Sequence, residues 1–338
     1  MSTTTSSSPP PLRAPRAEAA AAPGARRLRE AATRHRVPLS IAVLALFPLV
    51  VPFHAMAINI LLFGLFAAGY NLTFGYTGKL SFGHAAFYGS GAYACGILIA
   101  SHGLPWPLAV AAGIALGGLV ALAIGALAIR TRGIYFAMVT LSLAQCVYFA
   151  AFHATSLTGG DNGLRGVNVP TLRLGGWQID LLQPLNRYYF MLCFVALAVW
   201  LLSRILQSPF GAVLEAVREN EQRARASGFD VERAKLLSFV ISGLFCGLAG
   251  ALTAINLATV GIDTLSYHTS GQVMMVTLLG GMGTFFGPFV GAGVFLAMEH
   301  ALTAVTERWQ LIVGVIFIAL VLFFPKGIWG TLLARMER

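Results

Sequence analysis

The sequence predicts an all-α, polytopic transmembrane bundle of about eight to ten spans, some of them broken or re-entrant. Three observations carry that expectation. The 338 residues are 57% hydrophobic and 11% charged, with a mean hydropathy of +0.75, whereas soluble domains carry about 25% charged residues. Acidic and basic residues are absent from 37–78, 80–129, 133–160, 236–262 and 264–298. A spanning helix needs roughly 20 apolar residues, so several of these runs hold one span and two hold two. Finally, the charges are crowded: ten of them fall between Glu215 and Lys235, in EAVRENEQRARASGFDVERAK. Such an island has no place in hydrocarbon and must lie outside it. The alternating segments of roughly ten residues that mark a β-barrel are absent.

The elements follow in order. Residues 1–36, made largely of Ser, Thr, Pro, Ala and Arg, are expected to form a disordered basic cytoplasmic tail, with a transit peptide as the lesser reading. The membrane domain is expected over 37–330. Its spans are predicted at about 37–53, 55–74, 82–100, 106–129, 134–152, 188–202, 236–256 and 311–324, with a polar, glycine-rich external loop over 154–186. Residues 272–303 read as two short helices meeting at the break GGMGTFFGP, either as two crossings or as a re-entrant hairpin. The charged segment covers 208–235. Ser208 before Pro209 resembles an N-cap with proline in the first turn, and Gly228 is expected to end that helix. Residues 331–338 form a short cytoplasmic tail.

Charge placement orients the chain. Under this alternation 19 lysines and arginines fall on one side, and Arg165, Arg173, Arg187 and Arg308 fall on the other. Basic residues favour the cytoplasmic side, so both termini and the island are expected there. The net charge of +10 is read as this bias and not as a nucleic-acid surface. Cys95, Cys146, Cys193 and Cys246 each stand alone in apolar runs, with no C-x-x-C pair, so neither a metal cluster nor a disulfide framework is expected.

Catalytic motifs are missing. Gly78-Lys79 superficially resembles a phosphate loop, but Thr73 stands where its first glycine belongs and Leu80 replaces Ser/Thr. No catalytic, metal or cofactor residues are assigned, and the chain is not expected to be an enzyme. An ion-coupled carrier needs ionisable groups inside the membrane. The candidates are His84, read mainly as a packing residue, and Asp263 and Glu299, both near the outer ends of their segments.

Two glycine-rich breaks stand out, LSFGHAAFYGSGAYACG over 80–96 and GGMGTFFGPFVGAG over 280–293. Each holds Phe-Gly and a second glycine six residues on. They read either as close helix packing through small residues or as discontinuous helices lining a path. The path candidates are Asn71, Ser81, Phe82, Gly83, His84, Phe87, Gly89, Gly91, Gly281, Gly283, Gly287 and Pro288. In the island, Val213, Val217 and Ala224 share a helical face with Ala216 nearby, and Glu219–Arg223 and Glu221–Arg225 stand at i,i+4 spacing. The island reads as a solvated connector or as a docking surface for a cytoplasmic motor.

YNLTFGYTGKLSFGHAAFYGSGAY over 70–93, RENEQRARASGFDVERAKLLSFVISGLFCGLAGAL over 218–252 and GGMGTFFGPFVGA over 280–292 closely resemble permeases of branched-chain amino acid ATP-binding cassette importers. The resemblance covers nearly everything after about residue 37. It implies a bacterial inner-membrane permease for leucine, isoleucine or valine, although the wider family also serves urea, short amides and sugars. It further implies a second homologous permease subunit, two cytoplasmic ATPases and a soluble substrate-binding protein. Glu215, Arg218, Glu219, Asn220, Glu221, Arg223, Arg225 and Gly228 would then form the ATPase-coupling segment. Where relatives often carry an alanine pair before the glycine, this chain has Arg223-Ala224-Arg225-Ala226-Ser227-Gly228.

Overall fold

The computed structural model describes residues 53–168, 171–174, 177–324 and 327–336, with a few positions between 38 and 48. The expected basic tail, most of the first predicted span and the last two residues lie outside the described residues. What is described is a helical bundle with two small strand pairs.

The first fully described helix, α1 (His54–Asn71), is apolar on every face, as a helix in the middle of a bundle must be. It is buried accordingly: Ala57, Leu61, Leu65, Phe66 and Tyr70 are at most 1% exposed. It continues through a π-helical turn at Leu72–Tyr76. Then come α2 (His84–Ala100), α3 (Trp106–Ala128) and α4 (Ile134–His153). Beyond them lie the short α5 (Thr155–Thr158), β1 (Leu164–Arg165), β2 (Thr171–Leu174), β3 (Trp177–Asp180) and α6 (Pro184–Gln207). The charged segment holds α7 (Pro209–Glu219) and α8 (Glu221–Ala226). The rest comprises α9 (Val231–Leu257), β4 (Thr259–Val260), α10 (Tyr267–Gly280), α11 (Gly287–Thr303), α12 (Trp309–Phe323) and α13 (Gly327–Met336).

Six of the described helical stretches are long and apolar enough to cross a bilayer. With α2, α10 and α11 they agree with the expected polytopic bundle. The predicted break in 272–303 is present, as the turn between α10 and α11. At 14 residues, α10 is about 21 Å long, shorter than the roughly 30 Å hydrocarbon layer. The predicted external loop over 154–186 has more structure than expected. β1 pairs antiparallel with β4, Leu164 opposite Val260, which ties that loop to the end of α9, and β2 pairs with β3. Helix α13 crosses the expected boundary between the membrane domain and the tail over 331–338, running from Gly327 to Met336.

The tightest packing joins α2, α3 and α9. Lipid is as apolar as leucine, so close backbone approach has to replace hydrophobic burial as the force between spans. Small residues provide it. A Cβ added to Gly117 would lie 2.7 Å from the Cα of Gly247, and one added to Gly113 would lie 2.7 Å from the carbonyl oxygen of Gly91. By contrast, four of the 20 residues of α4 are buried, against thirteen of the 18 in α1, so α4 presents most of its surface outward.

Candidate functional site

The candidate residues gather in two connected places. One runs along α2 and the π turn. The other is the charged segment and the loops it touches.

The π turn loosens the hydrogen-bond ladder at the end of α1, and α9 answers it. The Ser242 hydroxyl donates to the carbonyl of Gly69 at 2.6 Å, and that of Ser238 donates to Leu72 at 3.4 Å. Because Ser242 has spent its one proton, its 2.9 Å bond to His84 requires that Nε2 of the imidazole be the donor. The other ring nitrogen, Nδ1, is then an acceptor, and it has no partner. The His84 ring is fully buried, edge-on to Tyr70, Phe87 and Phe239 at centroid distances of 4.7, 5.1 and 5.5 Å. This enclosure fits a neutral packing imidazole.

The start of α2 is capped from three directions. Ser81 Oγ accepts from the Gly83 N–H, Thr140 Oγ1 from Phe82 and Ser270 Oγ from Ala85, at 3.1, 3.2 and 2.9 Å. These bonds satisfy N–H groups that a helix start leaves free. Further along, Gly89 abuts Leu265, and Gly91 abuts the Gly247 backbone. Phe82 and Gly83 therefore meet α4, His84, Phe87 and Gly91 meet α9, and Gly89 meets the 3-10 turn at Ile262–Leu265, while Ser81 caps the start of α2.

The second break lies elsewhere. Asn71 Oδ1 accepts from the Gly283 N–H and Asn71 Nδ2 donates to the Thr284 carbonyl, both at 2.9 Å. Gly283 has φ +75°, a conformation that favours glycine. A Cβ there would meet the Arg218 guanidinium at 2.6 Å, and one on Gly78 would meet the Arg218 side chain at 3.4 Å. The α10–α11 turn, the loop after α1 and the charged segment therefore converge at one end of the bundle. Gly281 lies in this turn, and Gly287 and Pro288 open α11.

Ser208 and Pro209 begin α7 as expected. The single helix expected across the island is not formed. Asn220 is extended (φ −160°), and its Oδ1 accepts from Arg223 N at 2.9 Å, so it caps a second helix. The break removes the Glu219–Arg223 register. Arg225 pairs with Glu232 at 3.4 Å instead of with Glu221. Gly228, at φ +88°, lies just past the end of α8 as anticipated. The apolar face is real but composite: Val217 and Ala224 pack with Val231 of α9, flanked by Val213 and Ala216.

Glu215, Arg218, Glu219, Asn220, Arg223, Arg225 and Gly228 are exposed. Glu221 is the exception. It bonds Lys79 at 2.5 Å and Lys235 at 3.3 Å, joining the loop after α1 to the start of α9. Burial pushes the Glu221 carboxyl up, but the hydrogen bond and charge of Lys79, with the charge of Lys235, more than offset this and leave it below the usual carboxylate range. Lys79 and Lys235 were not singled out from the sequence. A signal was present, because each borders a long charge-free run, Lys79 after 37–78 and Lys235 before 236–262, and a lysine there needs a carboxylate. Phe229, 45% exposed beside Gly228, was also passed over. Among the described residues, no cluster of side chains could hold a metal ion.

The family model described as "Branched-chain amino acid transport system / permease component" matches residues 53–322. The chain is 31% identical over 284 residues to the high-affinity branched-chain amino acid transport system permease protein LivM of Escherichia coli (strain K12), covering 77% of this chain and 66% of that protein. It thus spans just under two thirds of the length of this relative. It is 26% identical over 290 residues to the corresponding permease protein LivH of Salmonella typhimurium, covering 79% and 91% of the two chains. The galactose/methyl galactoside import permease protein MglC of Salmonella typhimurium is 28% identical over 185 residues, 52% of this chain and 53% of that one. No solved structure matches.

Proposed function

The chain belongs to the family of branched-chain amino acid transport system permease components, and from that premise we propose that it forms the translocation path of an ATP-driven importer for leucine, isoleucine or valine. The family match over 53–322 carries this reading. The exposed charged segment, held on the bundle by Glu221, supports it.

In this reading two ATPase subunits bind the charged end at the cytoplasmic face, and a second permease subunit lies alongside. A soluble binding protein delivers substrate at the opposite face, where β1 and β4 meet. The membrane is the bacterial inner membrane, with both termini cytoplasmic, as the bias in lysine and arginine suggests. The permease itself performs no chemistry. ATP binding moves α7 and α8. The Glu221 contacts pass that motion to the loop after α1 and to α9, and Arg218 lies against the α10–α11 turn. A zwitterion has no net charge, so a path of hydroxyls and backbone without fixed charge lets it shed water at modest cost. The resemblance to a galactoside permease favours, as a second reading, another small neutral solute.

The test is reconstitution. With its ATPases, partner permease and binding protein, the chain should accumulate labelled leucine when ATP is on the ATPase side, and collapsing the proton and sodium gradients should leave uptake unchanged. Uptake by the chain alone, abolished by an ionophore, would overturn this and point to His84, Asp263 or Glu299. Uptake of a sugar or urea in place of leucine would favour the second reading.

A further inference from the structure

Beside the Glu221 contacts is a small cavity that the transport reading does not use. Thr73, Thr77, Lys79, Thr131 and Lys235 are among the residues lining it, and it offers about 10 Å³ to the centre of a water-sized sphere. That is room for a single occupant of roughly that size. We propose that it binds one small monovalent anion of the chloride class.

The first argument is charge. Lys79 and Lys235 share one carboxylate, Glu221. Glu232 also acts on Lys235, but it is paired with Arg225. One positive charge is therefore uncompensated where Lys235 is only 6% exposed. A buried charge calls for a partner.

The second argument is an orphaned donor. The Thr77 hydroxyl donates to the Thr73 carbonyl, and that of Thr131 donates to Ala128. Thr73 lines the same cavity and is 2% exposed, and its buried hydroxyl has no partner. The free donors around the space are thus one hydroxyl and two ammonium groups, a set that suits an anion. The π turn puts Thr73 there, and the loop it launches brings Lys79 back so that its N–H bonds the Thr73 carbonyl at 3.1 Å. The occupant would touch three separate segments through Thr73, Lys79 and Lys235, and would join the Glu221 contacts in holding the charged segment.

The test uses the purified full chain in detergent, unfolded by heat at constant ionic strength in sodium chloride, sodium bromide or sodium gluconate. Chloride and bromide should stabilise it in a saturable way and gluconate should not. Bromide soaked into crystals should give an anomalous peak between Thr73 and the two lysines. Thr73→Val keeps the shape and removes the donor, so half-saturation should shift to about tenfold higher chloride with unchanged melting in gluconate. Lys79→Gln removes the surplus charge and should abolish the halide response. Equal melting in all three salts, a bromide peak only elsewhere, or a halide response untouched by both substitutions would each overturn the proposal and leave the cavity to water. None of these readouts depends on which solute is transported.

Discussion

Asn71 holds Gly283 by its backbone: the carboxamide at the end of α1 accepts the Gly283 N–H and donates to the carbonyl of the next residue, both at 2.9 Å. A side chain 2% exposed thereby supplies both partners for a glycine turn more than two hundred positions away, where no helix ladder can. Asn71→Ala should lower stability by about 1–2 kcal/mol, since it removes both bonds and leaves a part-buried N–H and a part-buried carbonyl without them. Asn71→Asp, which keeps only the acceptor, should not restore it. Thermal unfolding of the purified variants checks this; a shift no larger than that of an exposed-site control would show that the turn holds itself.

Glu221 should make the charged end sensitive to acid. Its carboxyl lies lower in the folded chain than in the unfolded one, so its stabilising contribution is complete above the ordinary glutamate value of about 4.3 and is lost as pH falls through the lowered folded value. Glu221→Gln should lack that part of the acid transition and cost about 2–3 kcal/mol at neutral pH, because Lys235 loses its carboxylate. Melting temperatures of the two proteins between pH 3 and 7 would test this, and parallel curves would exclude a role for the group.

The glycine contacts can be separated from ordinary glycines. Gly91→Ala forces a methyl into the Gly247 backbone and should destabilise by about 1–3 kcal/mol. Gly271→Ala, in α10 with nothing within 4 Å, should be neutral or slightly stabilising. Equal effects would refute close packing between α2 and α9. The same assay bears on the path reading of α2: lost uptake by Gly83→Leu at unchanged abundance would support it, and lost abundance would support packing.

Reversing Glu219 and Arg223 together should weaken stimulation of the partner ATPase while leaving insertion intact. Both side chains are exposed and, across the Asn220 break, they are not neighbours on one helix. Normal uptake with the ATPase still co-purifying would remove the docking reading.

Much of this was legible in the chain. Charge-free runs located the spans, because length and hydropathy are local properties of a segment. Ser208-Pro209 and Gly228 marked the ends of the charged helical segment, because caps are chosen by the residues at the caps themselves. The helix break at Asn220 was not visible. Asparagine is a favoured cap residue, but the chain breaks there because Val217, Ala224 and Val231 pack together, and those contacts are tertiary.

The sequence by itself determined a polytopic helical membrane protein, its break between residues 280 and 288 and its one dense charged segment. Only the tertiary structure decided which distant groups meet. It brought Lys79 and Lys235 to one carboxylate, closed Asn71 over Gly283 and set Gly91 against Gly247. Hydropathy and capping act within a few residues and leave a pattern in the chain. An ion pair or a backbone contact between α2 and α9 depends on how whole helices are placed, and no spacing in the sequence encodes that distance.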